Sequence, residues 1–453
     1  MSDPRISVYL PSHNYGRFLG EAIESVLRQS IDDWELIVID DGSTDETPRV
    51  MDLYRGHPRI SLHRKQGIGL TAVCNFALNQ ARGKYVIRLD GDDVFDENIL
   101  LVLGNLLDRD PALALVFPDY YLVDQFGDVF GQERRKRQYS QSHTIDMPPN
   151  GACTLVRAQV LDDIGGYRED LGAQDGFDLW TKVVTRYKCA TVNLPLFYYR
   201  RHGDNLTTDT QRIINARRQI KKDAAKEKIA APRPIIAVIP CRQNFDFTTD
   251  LWREKIGDTS LLERDIKVCR SSELFDHIVI ASDNPETEDT VRKFDDSRLR
   301  FVLRDPQSTI RSASIGPTLE MIARELDPEL AGMTVLRYIQ SPFVTMDTLE
   351  EAVTTLAMSE ADSSNGVEAI TGQVLRRTRH GTEMLNRLGE FRSEFDAIYH
   401  DVQTCVAIRN RNLATGSLMG RSTVSFVVSS AECFFIDSAH KLKLARLMMG
   451  SEA

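Results

Sequence analysis

The stretch VIRLDGDDVF, residues 86–95, runs from an apolar, strand-forming segment directly into three acids, Asp90, Asp92 and Asp93. Its surroundings repeat the pattern. ISVYLP (6–11) is a short β-rich run, GRFLGEAIESVLRQS (16–30) spaces its apolar residues at helical intervals, and WELIVID (34–40) is a second apolar run that leads into DDGSTDETP. RISLH (59–63), a helical segment from Thr71 to Ala81 and KYVIRLD (84–90) continue the alternation. Strands alternating with helices predict an α/β fold on a parallel sheet, with the acids at the strand ends.

Bulk properties bound the rest. At 453 residues the chain exceeds what one hydrophobic core serves, so two or three domains are expected. A formal net charge of −10 argues against a nucleic-acid binder that works through a positive field. The seven cysteines, at 74, 153, 189, 241, 269, 405 and 433, form no CxxC pair and no zinc spacing, and read as buried thiols in a reducing compartment. No charged-then-apolar leader opens the sequence, and no run of about 18 apolar residues occurs. The expected location is cytoplasmic, with contact at the inner face of a membrane left open.

Around residues 211–234 the texture changes. QRIINARRQIKKDAAKEKIAAPRP is basic and closes on two prolines, as a terminal helix followed by a linker would. The alternation then restarts with PIIAVIPC (234–241), SLLERDIKVCRSS (260–272), HIVIASD (277–283) and TLEMIARELD (318–327). The expected organisation is two Rossmann-like α/β domains in tandem, 1–228 and 234–453, joined by a linker at 229–233.

In an open parallel sheet, ligands sit beyond the carboxyl ends of the strands. Asp40 and Asp41 end one strand, Asp90, Asp92 and Asp93 follow another, and the loop PSHNYG offers Pro11, Ser12 and Asn14 beside them. Two carboxylates spaced as in Asp90-Gly91-Asp92 can face one point if the glycine lets the backbone bend, and they repel unless a cation lies between them. A hard divalent ion with oxygen ligands satisfies that arrangement. A solvated Asp-Gly turn is the plainer reading of the same residues.

The residues around the acids favour the ion. VYLPSHNYGRFLGEAIESVLRQSIDDWELIVIDDGSTDET, followed by ARGKYVIRLDGDDVF, resembles the family-2 glycosyltransferases of GT-A fold, over the whole first domain. The resemblance implies that Pro11, Ser12 and Asn14 lie by a nucleotide and that Asp41 contacts its base or ribose. Asp90 and Asp92 correspond to the family's DxD pair, with Asp92 the more direct ligand of Mn²⁺ or Mg²⁺ bridging the donor diphosphate. It also implies an acidic base that deprotonates the acceptor hydroxyl; GAQDGFDLWTKV (172–183) is similar to the segment that carries it, with Asp175 favoured and Asp178 the alternative. FYYRRHGDNLT (197–207) resembles the closing segment, whose histidine, here His202, reaches the metal or diphosphate in some relatives. Trp180 reads as packing rather than chemistry.

Two basic stretches have two readings each. ERRKRQ (133–138) lies where the family keeps an acceptor-side loop, and is equally a solvated loop. The helix carrying Arg212, Arg217, Arg218, Lys221 and Lys222 could lean on anionic lipid, although its interspersed acids favour a plain exposed helix.

PIIAVIPCR, SLLERDIKVCRSSELFDHIVIASDNPET, FVLRDP and YIQSPFVTMDTLEEAV resemble the cytidylyltransferases that make CMP-sialic acid and related sugars. The resemblance implies a second nucleotide site at Arg242, Lys255, Ser282, Asp283, Arg304 and Gln340. Two of its parts are missing. A glycine-rich loop that would cradle a triphosphate is replaced by QNFDFTTDLWREK (243–255), and Phe435 stands where the first of two metal-binding acids belongs, leaving Asp437.

The combined expectation is an inverting, metal-dependent glycosyltransferase. It takes a nucleotide-diphosphate sugar, a UDP-sugar first, to a glycan or lipid-linked hydroxyl acceptor in surface polysaccharide synthesis. The alternatives are a bifunctional enzyme whose second domain also activates a sialic-acid-like sugar with CTP, and a second domain that serves only binding or homo-oligomerisation.

Overall fold

The computed structural model describes residues 3–134, 151–171, 173–202, 210–229, 232–310, 313–370, 372–385 and 398–450. The chain divides into two compact units, 1–217 with 371–397, and 218–370 with 398–453. All seven cysteines carry free thiols. No helix of the described residues is long and apolar enough to cross a membrane.

The first unit is built on one sheet. Its strands are β1 (Ile6–Ser12), β2 (Trp34–Asp40), β3 (Ile60–Arg64), β4 (Tyr85–Arg88), β5 (Val94–Phe95), β6 (Leu113–Val123), β7 (Val129–Glu133), β8 (Leu155–Arg157) and β9 (Lys188–Arg200). The spatial order is β3-β2-β1-β4-β8-β6-β9-β5, with β7 pairing to β6 off this path. The first four strands are parallel, as their alternation with helices requires. Beyond β4 the sheet becomes mixed: β8 runs antiparallel to both β4 and β6, and β9 parallel to β6.

Strands β1 and β2 are buried at every position because helices cover both faces of the sheet. Ile6, Val8, Leu10, Leu36 and Val38 enter one core, and Tyr9, Ile37 and Ile39 the other. This two-faced burial is why the strands read as unbroken apolar runs rather than as alternating ones. Trp180 lies in the second core, 1% exposed and edge-on to Phe117, as packing.

In the second unit the strands are β10 (Ile235–Cys241), β11 (Lys255–Ile256), β12 (Thr259–Ser260), β13 (His277–Ser282), β14 (Leu299–Leu303), β15 (Met333–Arg337), β16 (Ser363–Ala369), β19 (Tyr399–Arg409) and β20 (Thr423–Val427). The main sheet has the order β14-β13-β10-β15-β19-β16-β20, again parallel on one side and mixed on the other. Strands β17 (Leu375–Thr378) and β18 (Gly381–Met384), in the segment that belongs to the first unit, form a separate hairpin. The helix Leu261–Arg270 starts at a capping box in which Ser260 and Glu263 exchange side-chain and backbone bonds.

The basic helix Thr210–Ile229 straddles the division between the units. Its second half belongs to the second unit, where its cations meet buried acids. Arg218 pairs with Glu351 at 2.9 Å and Glu432 at 3.3 Å, Lys221 with Glu351 at 3.2 Å, and Lys222 with Glu350 at 2.9 Å. These three cations therefore serve the core of this unit, and their charge is already matched.

Candidate functional site

In the first sheet the strand order reverses direction between β1 and β4, with β2 on the other side of β1. A crevice at such a switch point is where open α/β sheets place ligands. The carboxyl ends of these strands carry Pro11, Ser12 and Asn14 after β1, Asp40 and Asp41 after β2, and Asp90, Asp92 and Asp93 after β4.

Gly91 is needed here for space rather than for an unusual bend. Its backbone is not in the left-handed region, but a Cβ there would stand 3.0 Å from Ser12 Oγ and 3.2 Å from Ser12 Cβ. A larger residue would crowd Ser12 at the end of β1 and require it to shift. Asn14, by contrast, does hold a left-handed φ of 59°, and its side-chain oxygen accepts the Thr44 backbone N–H at 2.9 Å. That bond ties the loop after β1 to the loop after β2.

The three acids after β4 have three different environments. Asp90 faces Arg88, with Oδ1 2.9 Å from Nε and Oδ2 accepting from Nη2 at 3.1 Å. Asp92 lies 3.0 Å from His202 Nε2. Asp93 accepts the Arg200 backbone N–H at 2.8 Å through Oδ1, while its Oδ2 is buried without a hydrogen-bond partner among the described residues. Arg200, 2% exposed, also donates to the Asp92 carbonyl at 2.8 Å and to Glu21 at 2.7 Å, so it fastens the acidic loop to the end of β9.

Burial pushes the Asp90 carboxyl up to about 6, with Arg88 opposing and the charges of Asp92 and Asp175 adding to the rise. Burial also raises Asp92, against the pull of His202, and raises Asp93 well above the carboxylate range, helped by the charges of Asp92 and Asp90. Around this point Asp90 and Asp175 pair with the Arg88 guanidinium and Asp92 with His202, while the Arg200 guanidinium pairs with Glu21 and its backbone N–H reaches Asp93. Acids crowded enough that the charge of Asp92 raises both Asp90 and Asp93, with the buried Ser12 Oγ and Asp93 Oδ2 unpartnered among the described residues, fit a divalent cation. Among the described residues no three His, Cys, Asp or Glu side chains are grouped to cage an ion alone. An ion held by one or two carboxylates and otherwise by phosphate oxygens and water, as Mg²⁺ commonly is, does not need such a cage.

The structure separates Asp175 from Asp178. Asp175 is the first residue of the helix Asp175–Val184 and its carboxylate pairs with Arg88, which joins it to Asp90. Asp178, one turn along, pairs with Lys182 on its own helix at 2.7 Å and lies 3.9 Å from Arg168. Asp41 uses both carboxylate oxygens to hold the loop before the helix Leu70–Gln80, accepting from the backbone of Ile68 and Gly69 at 2.8 Å each. Of ERRKRQ only Glu133 and Arg134 are among the described residues, and the segment after His202 lies outside them up to 210.

Arg88 and Arg200 escaped the sequence reading. The available signal was a single charged residue inside or at the end of an otherwise apolar strand, which must be paired if it is buried.

At the corresponding end of the second sheet, Arg242, Ser282, Asp283 and Arg304 come together. Asp283 accepts the Gln243 backbone N–H at 2.8 Å and the Thr309 hydroxyl at 2.6 Å, and the Ser282 hydroxyl accepts the Asn284 backbone N–H at 3.1 Å. Arg304 is 7% exposed, donates to the Ser308 carbonyl, and has its guanidinium pulled down by burial. Arg242 stacks on Phe245 at 4.4 Å. The loop after β10 closes on itself: Asp250 donates to the Gln243 carbonyl, Phe245 to the Thr248 carbonyl, and Asn284 to the Asp250 carboxylate. Lys255 and Asp437 stand elsewhere. The Lys255 side chain is exposed, Asp437 pairs with Lys441 at 2.7 Å, and Gln340 contributes its carbonyl to the Ile436 backbone N–H.

Comparison with known proteins matches two family models in succession along the chain. Residues 7–165 match the glycosyl transferase family 2 model, and residues 254–419 match the cytidylyltransferase model. The chain thus carries a family-2 glycosyltransferase domain followed by a divergent cytidylyltransferase-like domain. It is 25% identical over 203 residues to a chondroitin synthase of Escherichia coli, covering 45% of this chain and 30% of that protein. It is 28% identical over 206 residues to a hyaluronan synthase of Pasteurella multocida, covering 45% of this chain and 21% of that one. The chain therefore spans less than a third of the length of these two relatives. Among solved structures, S. aureus TarS 1–349 aligns over 51% of this chain and 67% of its own, at 19% identity and a TM-score of 0.42.

Proposed function

We propose that the first unit is an inverting, metal-dependent glycosyltransferase of polysaccharide or glycoconjugate synthesis. Its donor is a nucleotide-diphosphate sugar, a UDP-sugar first, and its acceptor a hydroxyl of a glycan, free or lipid-linked, at the inner face of a membrane. One observation carries the reading: the buried Arg88 joins Asp90, two residues before Asp92 on the donor side, to Asp175 on another element, at the switch point of the sheet. The family match over residues 7–165 supports it, and the two polysaccharide synthases among the relatives support the product class.

In this reading Asp92 and Asp90 hold Mn²⁺ or Mg²⁺, with His202 bonded to Asp92 and fixing its orientation. Once bound, the ion neutralises the charge that develops on the departing diphosphate. Pro11, Ser12, Asn14 and Asp41 form the wall for the nucleoside, Asp41 by shaping the 68–69 loop against which the base would rest. Asp175 takes the proton of the acceptor hydroxyl as the new glycosidic bond forms on the face opposite the leaving group.

For the second unit, the closed loop after β10 favours a binding or oligomerisation module over an active CTP-dependent enzyme. Its backbone amides at Gln243, Phe245 and Asp250 are already spent, so they are not free to cradle a triphosphate. A panel of UDP-, GDP- and CMP-sugars with Mn²⁺ or Mg²⁺, read by release of the nucleotide, and CTP with sialic-acid-like sugars, read by release of pyrophosphate, test the two units. The expected result is nucleoside diphosphate release from one UDP-sugar, abolished by EDTA, and no pyrophosphate release from CTP with any sialic-acid-like sugar. Metal-independent release would defeat the first assignment, and CTP-dependent pyrophosphate release would make the enzyme bifunctional.

A further inference from the structure

We propose that Arg88 is a positioning residue of the transfer, fixing the base Asp175 at a set distance from the donor-side carboxylate Asp90. The inference rests on the roles given above to Asp90 and Asp175 and assigns a new one to a residue outside them.

Arg88 is the last residue of β4, two positions before Asp90 in the chain, whereas Asp175 opens a helix 87 residues further on. Its side chain is 8% exposed, against 26% for Asp90 and 16% for Asp175, so it lies beneath both and reaches each from below. Burial works against a charged guanidinium; the facing carboxylates of Asp90 and Asp175 outweigh it and hold the group firmly charged. The planar guanidinium donates to Asp90 through Nη2, with Nε 2.9 Å from the other Asp90 oxygen, and to Asp175 through Nη1. A lysine ammonium is a point charge and cannot present two fixed edges to two acids.

The surroundings are shaped to this side chain. Gly151 packs against it, and a Cβ at that position would stand 3.3 Å from Nη2 and 3.5 Å from Cζ. Gly176, next to Asp175, rests in turn against the Gly151 backbone. The guanidinium therefore has little room to move, and the two acids that it holds have a fixed separation. A base displaced by about 1 Å can cost about a hundredfold in rate, so this spacing matters to the chemistry even though Arg88 need not touch the sugar.

The test uses the full chain, whichever UDP- or GDP-sugar releases its nucleotide in the wild type, and water as acceptor, with Arg88→Gln, Arg88→Lys, Asp175→Asn and the double variant Arg88→Gln/Asp175→Asn. Binding of UDP with Mn²⁺ checks that each variant is folded; where Arg88→Gln fails that check, Arg88→Lys takes its place in the cycle. The expected result at saturating donor is a fall in kcat of roughly a hundredfold for Arg88→Gln, partly restored in Arg88→Lys. In the Asp175→Asn background the same substitution costs no more than about threefold, since a group acting through Asp175 has nothing left to position. An equal loss in both backgrounds, a rise in KM with kcat unchanged, or no loss overturns the inference. Failure of the wild type to release UDP or GDP from any sugar nucleotide, or full activity in Asp175→Asn, defeats the underlying assignment and takes the inference with it. These two controls are read separately from the arginine variants.

Discussion

Asp175→Asn is expected to lower sugar transfer by about two to four orders of magnitude while leaving affinity for UDP and Mn²⁺ within about threefold of the wild type. The substitution keeps the shape of the side chain and removes its charge and its capacity to accept a proton. It also leaves a neutral oxygen that can still accept from Arg88, so the helix Asp175–Val184 keeps its anchor. Asp178→Asn is the internal control. Its carboxylate is engaged with Lys182 on the same helix at 2.7 Å and is only 5% exposed, so its loss costs about 1 kcal/mol of stability and changes transfer less than threefold. Steady-state kinetics with one donor on both variants decides between them. Loss of transfer in Asp178→Asn with Asp175→Asn active would exchange their roles.

The second large effect concerns stability. Arg218→Ala is expected to destabilise the second unit by about 3 kcal/mol, because it removes the paired cation from the buried Glu432 and leaves the buried Glu351 to Lys221. Glu351 and Glu432 are each 4% exposed, and Arg218 is paired with both. Burial would raise Glu432, but hydrogen bonds from Thr348 and Ser429 and the charge of Arg218 hold it below its ordinary value, so at neutral pH it is an ionised acid that depends on its partners. Hydrogen exchange in the full chain should show faster exchange across the helix Met346–Met358, which carries Thr348 and Glu351. For the same reason a fragment beginning at 234, which lacks Arg218, Lys221 and Lys222, should melt well below one beginning at 210. Equal melting temperatures would mean that these pairs are dispensable.

The strands and the acids were legible in the sequence because both are local. A strand buried on two faces must be apolar throughout, and WELIVIDD and YVIRLDGDD announce where such strands stop. The half of the first sheet beyond β4 was not legible. Strand β8 has only three residues, and both it and β9 meet β6 only after a long stretch of chain. The aspartate pair at 175 and 178 is likewise undecidable from spacing alone, since both sit in the first turn of one helix. Only the folded position of Arg88, 87 residues away, separates them. The basic helix shows the opposite failure. Its cations look like a surface feature in sequence, and the acids that neutralise them lie about 130 residues on, at Glu350 and Glu351. Gly91 was singled out for the right position and a different reason, close approach to Ser12 rather than freedom of the backbone.

The central claim is that Asp90 and Asp92 hold a divalent ion that receives a nucleoside diphosphate. Thermal shifts of the wild type and Asp92→Ala with UDP, GDP, CDP, CMP and CTP, each with and without Mn²⁺, test it most directly. The expected result is stabilisation of the wild type by a nucleoside diphosphate, UDP first, that requires Mn²⁺ and is lost in Asp92→Ala. Stabilisation that persists without the metal or in Asp92→Ala, or no response to any nucleoside diphosphate, would contradict it.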